Sequence, residues 1–204
     1  MAKKRRAIKK VKSKTWYEVH APEIFNKENV VGHTLSSDPE KLLGRTLEIK
    51  LSQLVGDRGK SNQKLKLKII EVKGADAYTE IVKYDLSRIY LARLIRRRTS
   101  KVEVITDLKT KDGKMARIKA LAITRGRAAE SQRKLIRKKL TEYLENFVKE
   151  NTFDSLILAT ISNKIQKEVY KILKKIFPIN VVEIRTIELK KEKKTTGTAK
   201  GIEE

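Results

Sequence analysis

The spacing of apolar residues is mainly two in the first part of the chain and mainly three to four after it, and that shift narrows the class of fold open to it. Early on the period is two. Leu47, Ile49 and Leu51 alternate with Glu48, Lys50 and Ser52, and Leu65, Leu67 and Ile69 alternate with Lys64, Lys66 and Lys68. Side chains of a strand point alternately to its two faces, so each run reads as a half-buried strand. Trp16 to Val19 and Tyr78 to Tyr84 are further strand candidates. Val102 to Leu108 and Met115 to Ile123 flank Lys111-Asp112-Gly113, and Asp-Gly between two such runs is a hairpin signal. Later the period lengthens to three and four. A short helix is expected near Ser87, with Tyr90, Leu91 and Leu94 inward. A long one is expected from about Ala128 to Glu150, carrying Ile136, Leu140, Tyr143, Leu144 and Phe147. A third is expected from an N-cap at Asp154 through Ile157, Ile161, Ile165, Val169, Ile172 and Ile176, stopped by Pro178. Ile179 to Leu189 reads as a last strand.

Strands first and long helices after them predict an α+β protein. The expected organisation is a basic, disordered N-terminal tail over residues 1–14 and a mainly antiparallel β part over 15–127, barrel-like or a sandwich, with one short helix. An α/β part over 128–189, long helices packed with a terminal strand, follows, and then a flexible basic tail over 190–204.

Charge decides what such a body meets. Lys and Arg number 49 against 25 Asp and Glu, a net charge of +24 over 204 residues. A small domain needs only about 2–8 net charges for solubility, and a larger excess repels itself until something anionic neutralises it. With 39% apolar residues the chain can still bury a core. There is no cysteine, which excludes disulfide scaffolds, thiolate metal sites and Cys nucleophiles. No apolar run approaches the ~18 residues of a membrane span, and no apolar stretch follows the basic start as a secretory signal would require. A cytoplasmic protein without a membrane partner is expected.

Catalytic motifs do not assemble. Gly56-Asp57-Arg58-Gly59-Lys60-Ser61 ends like a phosphate-binding P-loop, but the position of the first glycine holds Leu54, and a strand follows rather than a helix. A basic turn accounts for Arg58 and Lys60 better. The two histidines, His20 and His33, have no zinc-helix spacing. No enzyme, cofactor or metal is expected.

The basic clusters point elsewhere. Lys3, Lys4, Arg5, Arg6, Lys9, Lys10, Lys12 and Lys14 occupy residues 1–14 without one acid. Arg96-Arg97-Arg98 is expected to close the short helix, with Lys101 after it. From Ser87 to Val102 there are six cations and no acid, and from Gly113 to Ala129 five more, including Arg125 and Arg127. Arg133 and Lys134 begin a further cluster, where cations oppose the dipole of a helix N-terminus. Phosphate is the economical partner, because the guanidinium fork matches its oxygens. Aromatic residues make up only 5% of the chain. No base-stacking sheet or recognition helix is evident, so backbone recognition of folded RNA is expected. A non-ribosomal RNA-binding protein or a DNA-architectural protein fits the charge equally well.

Specific motifs narrow the choice. Lys14-Thr15-Trp16-Tyr17-Glu18-Val19 with Ala21-Pro22 resembles the opening of a small-subunit ribosomal protein family shared by archaea and eukaryotes, the S-one-e or S-three-a family. Gly44-Arg45-Thr46-Leu47-Glu48 through Gly56-Asp57, and Tyr90-Leu91 through Arg96-Arg97-Arg98-Thr99-Ser100-Lys101-Val102, resemble its signature regions. Gln53 departs from the aspartate usual there. The resemblance spans roughly residues 14–190, and the short C-terminal tail looks archaeal. It implies a structural protein on the platform of the small subunit, near the messenger exit and the 3′ end of the small-subunit RNA. Partners implied are that RNA, neighbouring ribosomal proteins and messenger RNA near the exit. Trp16 joins the basic residues as an implied RNA contact.

Overall fold

A computed structural model describes residues 13–25 and 29–190. The basic tails expected over 1–14 and 190–204 lie outside these residues apart from Ser13, Lys14 and Lys190. The class is α+β, with strands dominating the first half and helices the second. Contacts divide the chain into two compact units, Met1–Val82 and Lys83–Glu204. This division is distinct from the change of element type expected near residue 128.

The first unit contains β1 (Thr15–His20), β2 (Val30–Ser36), β3 (Thr46–Lys50), a single-turn α1 (Leu51–Val55), β4 (Gln63–Lys73) and the start of β5 (Asp76–Leu86). Strict alternation builds it. Leu65, Leu67 and Ile69 are fully buried, while the lysines between them face outward. β1 and β2 pair antiparallel, with Glu18 opposite His33, and β3 pairs β4 with Ile49 opposite Leu65. One pair departs from the antiparallel expectation. β1 runs parallel to β5, Glu18 beside Asp76 and Val19 beside Ala77, which the long connection between the two strands permits. The turn between β4 and β5 places Gly74 at φ 61°, where a side chain is strained. The core gathers Tyr17, Val19, Leu42, Ile69 and Ala77, with Leu47 and Val72 at its edge.

The second unit holds the end of β5, then α2 (Arg88–Leu94), β6 (Lys101–Lys109), β7 (Met115–Thr124), α3 (Glu130–Glu150), α4 (Phe153–Ile161), α5 (Lys164–Leu173) and β8 (Ile179–Leu189). The β6–β7 hairpin turns at Gly113, φ 76°. The last strand, β8, enters between the end of β5 and β7, antiparallel to both. β7 is therefore central and buried on both faces from Ala120 to Thr124. Its Leu121 and Ile123 pack with Leu86 and Leu91 of β5 and α2. Alternation turns Ile118, Ala120 and Ala122 the other way. α3, which packs on β6, buries Ile136, Leu140, Leu144 and Val148 at i, i+4 spacing. Each such apolar side chain contributes roughly 1.5–3 kcal/mol when fully buried.

Two local expectations are corrected. The helix after α3 starts from Thr152, whose hydroxyl accepts from the Ser155 N–H; Asp154 sits in the first turn, where its charge favours the dipole. That helix also does not run on to Ile176. It breaks at Ser162-Asn163, with Asn163 left-handed at φ 58°. Asparagine tolerates this conformation better than most residues because its short amide can bond locally.

Candidate nucleic-acid interface

β6 and β7 are antiparallel neighbours, with Lys101 opposite Ile123. The residues entering β6 must therefore lie beside those leaving β7. This brings Arg96–Ser100 and Arg125–Ala128 together although they are far apart in sequence. Uncharged groups pin the two segments. The Thr124 N–H donates to Ser100 O at 3.0 Å, and the Ser100 N–H donates to the Thr124 hydroxyl at 2.9 Å. That hydroxyl is fully buried and lies 2.6 Å from Gly126 O and 3.1 Å from Ser100 O, one hydrogen serving both. The Ala128 N–H donates to the Ser100 hydroxyl at 3.0 Å, and the Arg125 N–H to Pro178 O at 3.0 Å. The Thr99 hydroxyl closes the arginine turn on Arg96 O at 2.7 Å. Each bond contributes about 1 kcal/mol net, but an orphaned buried donor would cost about 1–3 kcal/mol, so the clasp is stiff.

On this frame Arg98, Arg125, Gly126 and Arg127 line an open hollow of about 670 Å³. Arg96 and Arg97 stand exposed in the same turn. None of these five arginines forms an ion pair among the described residues. The expectation that the triplet closes α2 is corrected. The helix ends at Leu94, because Ile95 is already extended, and the arginines occupy the turn beyond it. Arg98 is left-handed at φ 63°, a conformation costing a non-glycine residue roughly 1–2 kcal/mol. Strain held at a charged, exposed position marks a place where side-chain direction matters. Three guanidinium forks around one hollow can share the oxygens of a phosphate backbone.

The remaining expected residues are placed differently. Lys101 pairs with Glu103 at 2.9 Å, and Glu103 also accepts from Arg185 at 2.8 Å. These hydrogen bonds, Lys101 first, hold the Glu103 carboxyl below its ordinary range against the opposing effect of burial. Arg133 and Arg137 share Glu130, at 2.5 and 3.2 Å. The start of α3 thus supplies part of its own counter-charge. Lys134 is exposed. Arg58 and Lys60 lie in a 3-10 turn where Asp57 accepts from the Gly59 N–H at 2.9 Å, an Asp-capped turn rather than a P-loop. Lys14 is exposed, and Trp16 is 68% exposed on β1, opposite Leu35. Lys3, Lys4, Arg5, Arg6, Lys9, Lys10 and Lys12 lie outside the described residues.

The sequence reading missed Arg88 and Arg185. Both join Lys101 around a smaller hollow of about 220 Å³ floored by Leu91, Ala92, Ile95 and Leu121. Arg88 stood inside the acid-free run from Ser87 and could have been found there. Arg185 arrives only because β8 inserts beside β7.

The described residues thus define one class of protein, an α+β body with an open arginine hollow on a hydrogen-bonded frame. Comparison with known proteins makes the class specific. The model of the Ribosomal S3Ae family matches residues 2–193, and the chain belongs to that family. It is thus a ribosomal protein and not an enzyme. Among its archaeal relatives, small ribosomal subunit protein eS1 of Haloarcula marismortui is 37% identical over 190 residues, 92% of this chain and 89% of the relative. The protein of the same name from Methanothermobacter thermautotrophicus is 38% identical over 183 residues, 90% of this chain and 93% of the relative. That of Desulfurococcus amylolyticus is 39% identical over 186 residues, 90% and 87% respectively. No helix among the described residues is long and apolar enough to cross a membrane.

Proposed function

We propose that this chain is a structural constituent of the small ribosomal subunit in the cytoplasm, binding and stabilising folded ribosomal RNA through phosphate contacts. The observation that carries the RNA part is the clasp: five arginines that pair with no carboxylate among the described residues, on backbone fixed by Thr124 and Ser100. The relatives' names support the subunit. The platform near the messenger exit is the position we assign, with neighbouring ribosomal proteins and messenger RNA as further partners. The two parts of the chain expected around residue 128, a β part before it and an α/β part after it, are read as separate contact surfaces for that RNA. Lys14, Trp16, Arg58, Lys60, Lys101 and Lys134 are assigned as outlying contacts, together with the basic residues of the N-terminal tail.

The isolated protein should bind structured small-subunit RNA with steep salt dependence. With about six to ten phosphates neutralised, affinity falls roughly 10³–10⁵-fold between 50 and 200 mM salt. A flat salt response would remove the phosphate account. In cells the tagged chain should co-sediment stoichiometrically with small subunits through a high-salt wash, and substoichiometric recovery would remove the structural role. Cross-linking in intact subunits locates the RNA contacts, and cross-links confined to RNA remote from the messenger exit would overturn the assigned position.

A further inference from the structure

We propose that the outer face of the β1–β5 strand pair is a binding site for a transition-metal dication of the zinc class, held by Glu18, His20 and Asp76, with His33 as fourth ligand. The ligand atoms of Glu18, His20 and Asp76 lie within 4.8 Å of one another. His20 Nε2 is 3.1 Å from Asp76 Oδ1. Metal–ligand bonds of about 2.0–2.1 Å in a tetrahedral site put neighbouring ligand atoms roughly 3.3 Å apart. One edge of the site therefore already stands close to its final length. Glu18 is exposed, and its side chain can close the rest by rotation.

The topology explains why these residues meet. Glu18 and His20 are two apart on β1 and share its outward face, opposite the buried Tyr17 and Val19. Asp76 is the parallel register partner of Glu18, and His33 is its antiparallel partner on β2. Partners in register project to the same face, so both histidines of the chain flank a single carboxylate.

Two further observations point to a cation. Like charges directly beside one another on neighbouring strands are destabilising, yet Glu18 and Asp76 are such a pair. Glu18 makes no ion pair among the described residues, although the chain carries a net charge of +24. A surface His–Asp pair alone accounts for His20 and Asp76 but leaves Glu18 unexplained. His20 is also held in place before any ion arrives. Its ring stacks on Tyr78 with centroids 5.4 Å apart and planes at 22°, and its carbonyl accepts from the Thr79 hydroxyl at 2.8 Å. One or two imidazoles with two carboxylates suit zinc, cobalt or nickel, whereas magnesium prefers oxygen and water alone.

The site belongs to the first unit and uses none of the arginines on which the RNA reading rests, so the two stand or fall separately. The test is a titration of the chelator-stripped, full-length protein with Co²⁺ alone, followed by visible absorption, and then displacement by Zn²⁺. One equivalent should bind saturably, Zn²⁺ should displace it, and excess Mg²⁺ should not. His20→Ala and Glu18→Gln should each weaken Co²⁺ binding by at least about tenfold, the scale on which even a ligand's supporting partner matters. His33→Ala should weaken it less. Circular dichroism checks each fold. If His20→Ala unfolds, Glu18→Gln decides, because that exposed side chain supports no core. Absence of saturable Co²⁺ binding by the wild-type protein, or unchanged affinity in Glu18→Gln, overturns the site.

Discussion

The clasp and the start of α3 are similarly rich in cations and put them to different use. In α3 the helix itself solves the charge problem. Glu130 lies three residues before Arg133 and seven before Arg137, and the spiral brings all three onto one side. Lys139 likewise finds Glu142 at 2.8 Å. In the clasp the backbone is held by hydroxyls and amides, and no carboxylate among the described residues pairs with Arg98, Arg125 or Arg127. The number of arginines in a stretch is thus a poor measure of the charge it offers a phosphate. What counts is the charge left after internal pairing.

The largest expected effect comes from emptying the two regions separately. Replacing Arg98, Arg125 and Arg127 by Ala should flatten the salt dependence of RNA binding by about two to three log–log units, close to 0.9 per phosphate lost. Replacing Arg133, Arg137 and Lys139 by Ala should flatten it by less than half as much, since those cations already have partners. The same clasp variant should also lose a competition with wild type for incorporation into small subunits more severely than a chain lacking Lys3 to Arg6. Equal salt slopes for the two triple variants would break the comparison. Glu130→Gln sharpens it from the other side, because freeing Arg133 and Arg137 should strengthen RNA binding.

Next in size is a change that removes no charge. Thr124→Val keeps the shape of a fully buried side chain and deletes its hydroxyl. The Ser100 N–H then loses its acceptor, at a cost of about 1–3 kcal/mol in thermal or denaturant unfolding. If the frame orients the arginines, RNA affinity should fall as well, with the salt slope nearly unchanged. A Thr124→Val protein that loses stability yet binds RNA as tightly as wild type would show that the frame is irrelevant to binding.

Arg98→Gly tests strain. Glycine accepts φ 63° without the Cβ penalty, and its own greater unfolded-state freedom offsets part of the gain. Stability should therefore rise slightly or hold, by less than about 1 kcal/mol, while RNA binding weakens through the lost cation. A clear fall in melting temperature would mean that the Arg98 side chain supports the fold rather than the ligand.

What the sequence revealed about these regions follows from the distance over which each feature is encoded. Alternation at Leu65, Leu67 and Ile69 and the Asp112-Gly113 turn are local, and both stand where expected. So does the i, i+4 face of α3 at Ile136, Leu140 and Leu144. The break at Asn163 was also local but weak. An asparagine within a strong apolar period does not force a stop, and only the fold selects the left-handed turn. Glu130 was visible three residues before Arg133, and reading the charges pairwise rather than as runs of one sign would have found it. The clasp had no local signal. Ser100 and Thr124 are 24 residues apart, and their meeting depends on β6–β7 register. The convergence of Glu18, His20 and Asp76 is likewise a product of strand pairing, invisible to motif spacing.

The smallest effect concerns Glu103, which ties Lys101 and Arg185 into a state between the two regions: cations near the hollow, but paired. Its carboxyl is held below the ordinary value of 4.5 chiefly by the hydrogen bond from Lys101 and then by Arg185, with burial pulling the other way. A carboxylate whose pKa falls on folding stabilises the folded state at pH above its unfolded value. That contribution is lost as pH drops through the lower, folded value. Glu103→Gln should therefore be less stable than wild type at pH 7, by about 0.2–1 kcal/mol for a partly exposed pair. The two proteins should converge as pH is lowered from about 4.5 through the folded value, where wild type loses the same charge. RNA binding at pH 7 should move the opposite way and strengthen modestly, since Lys101 and Arg185 no longer share a carboxylate. Measuring both quantities on one variant separates the two uses of a cation. A variant that gains RNA affinity would show that Glu103 withholds Lys101 and Arg185 from the RNA, and one that loses stability without gaining affinity would show that neither cation reaches it.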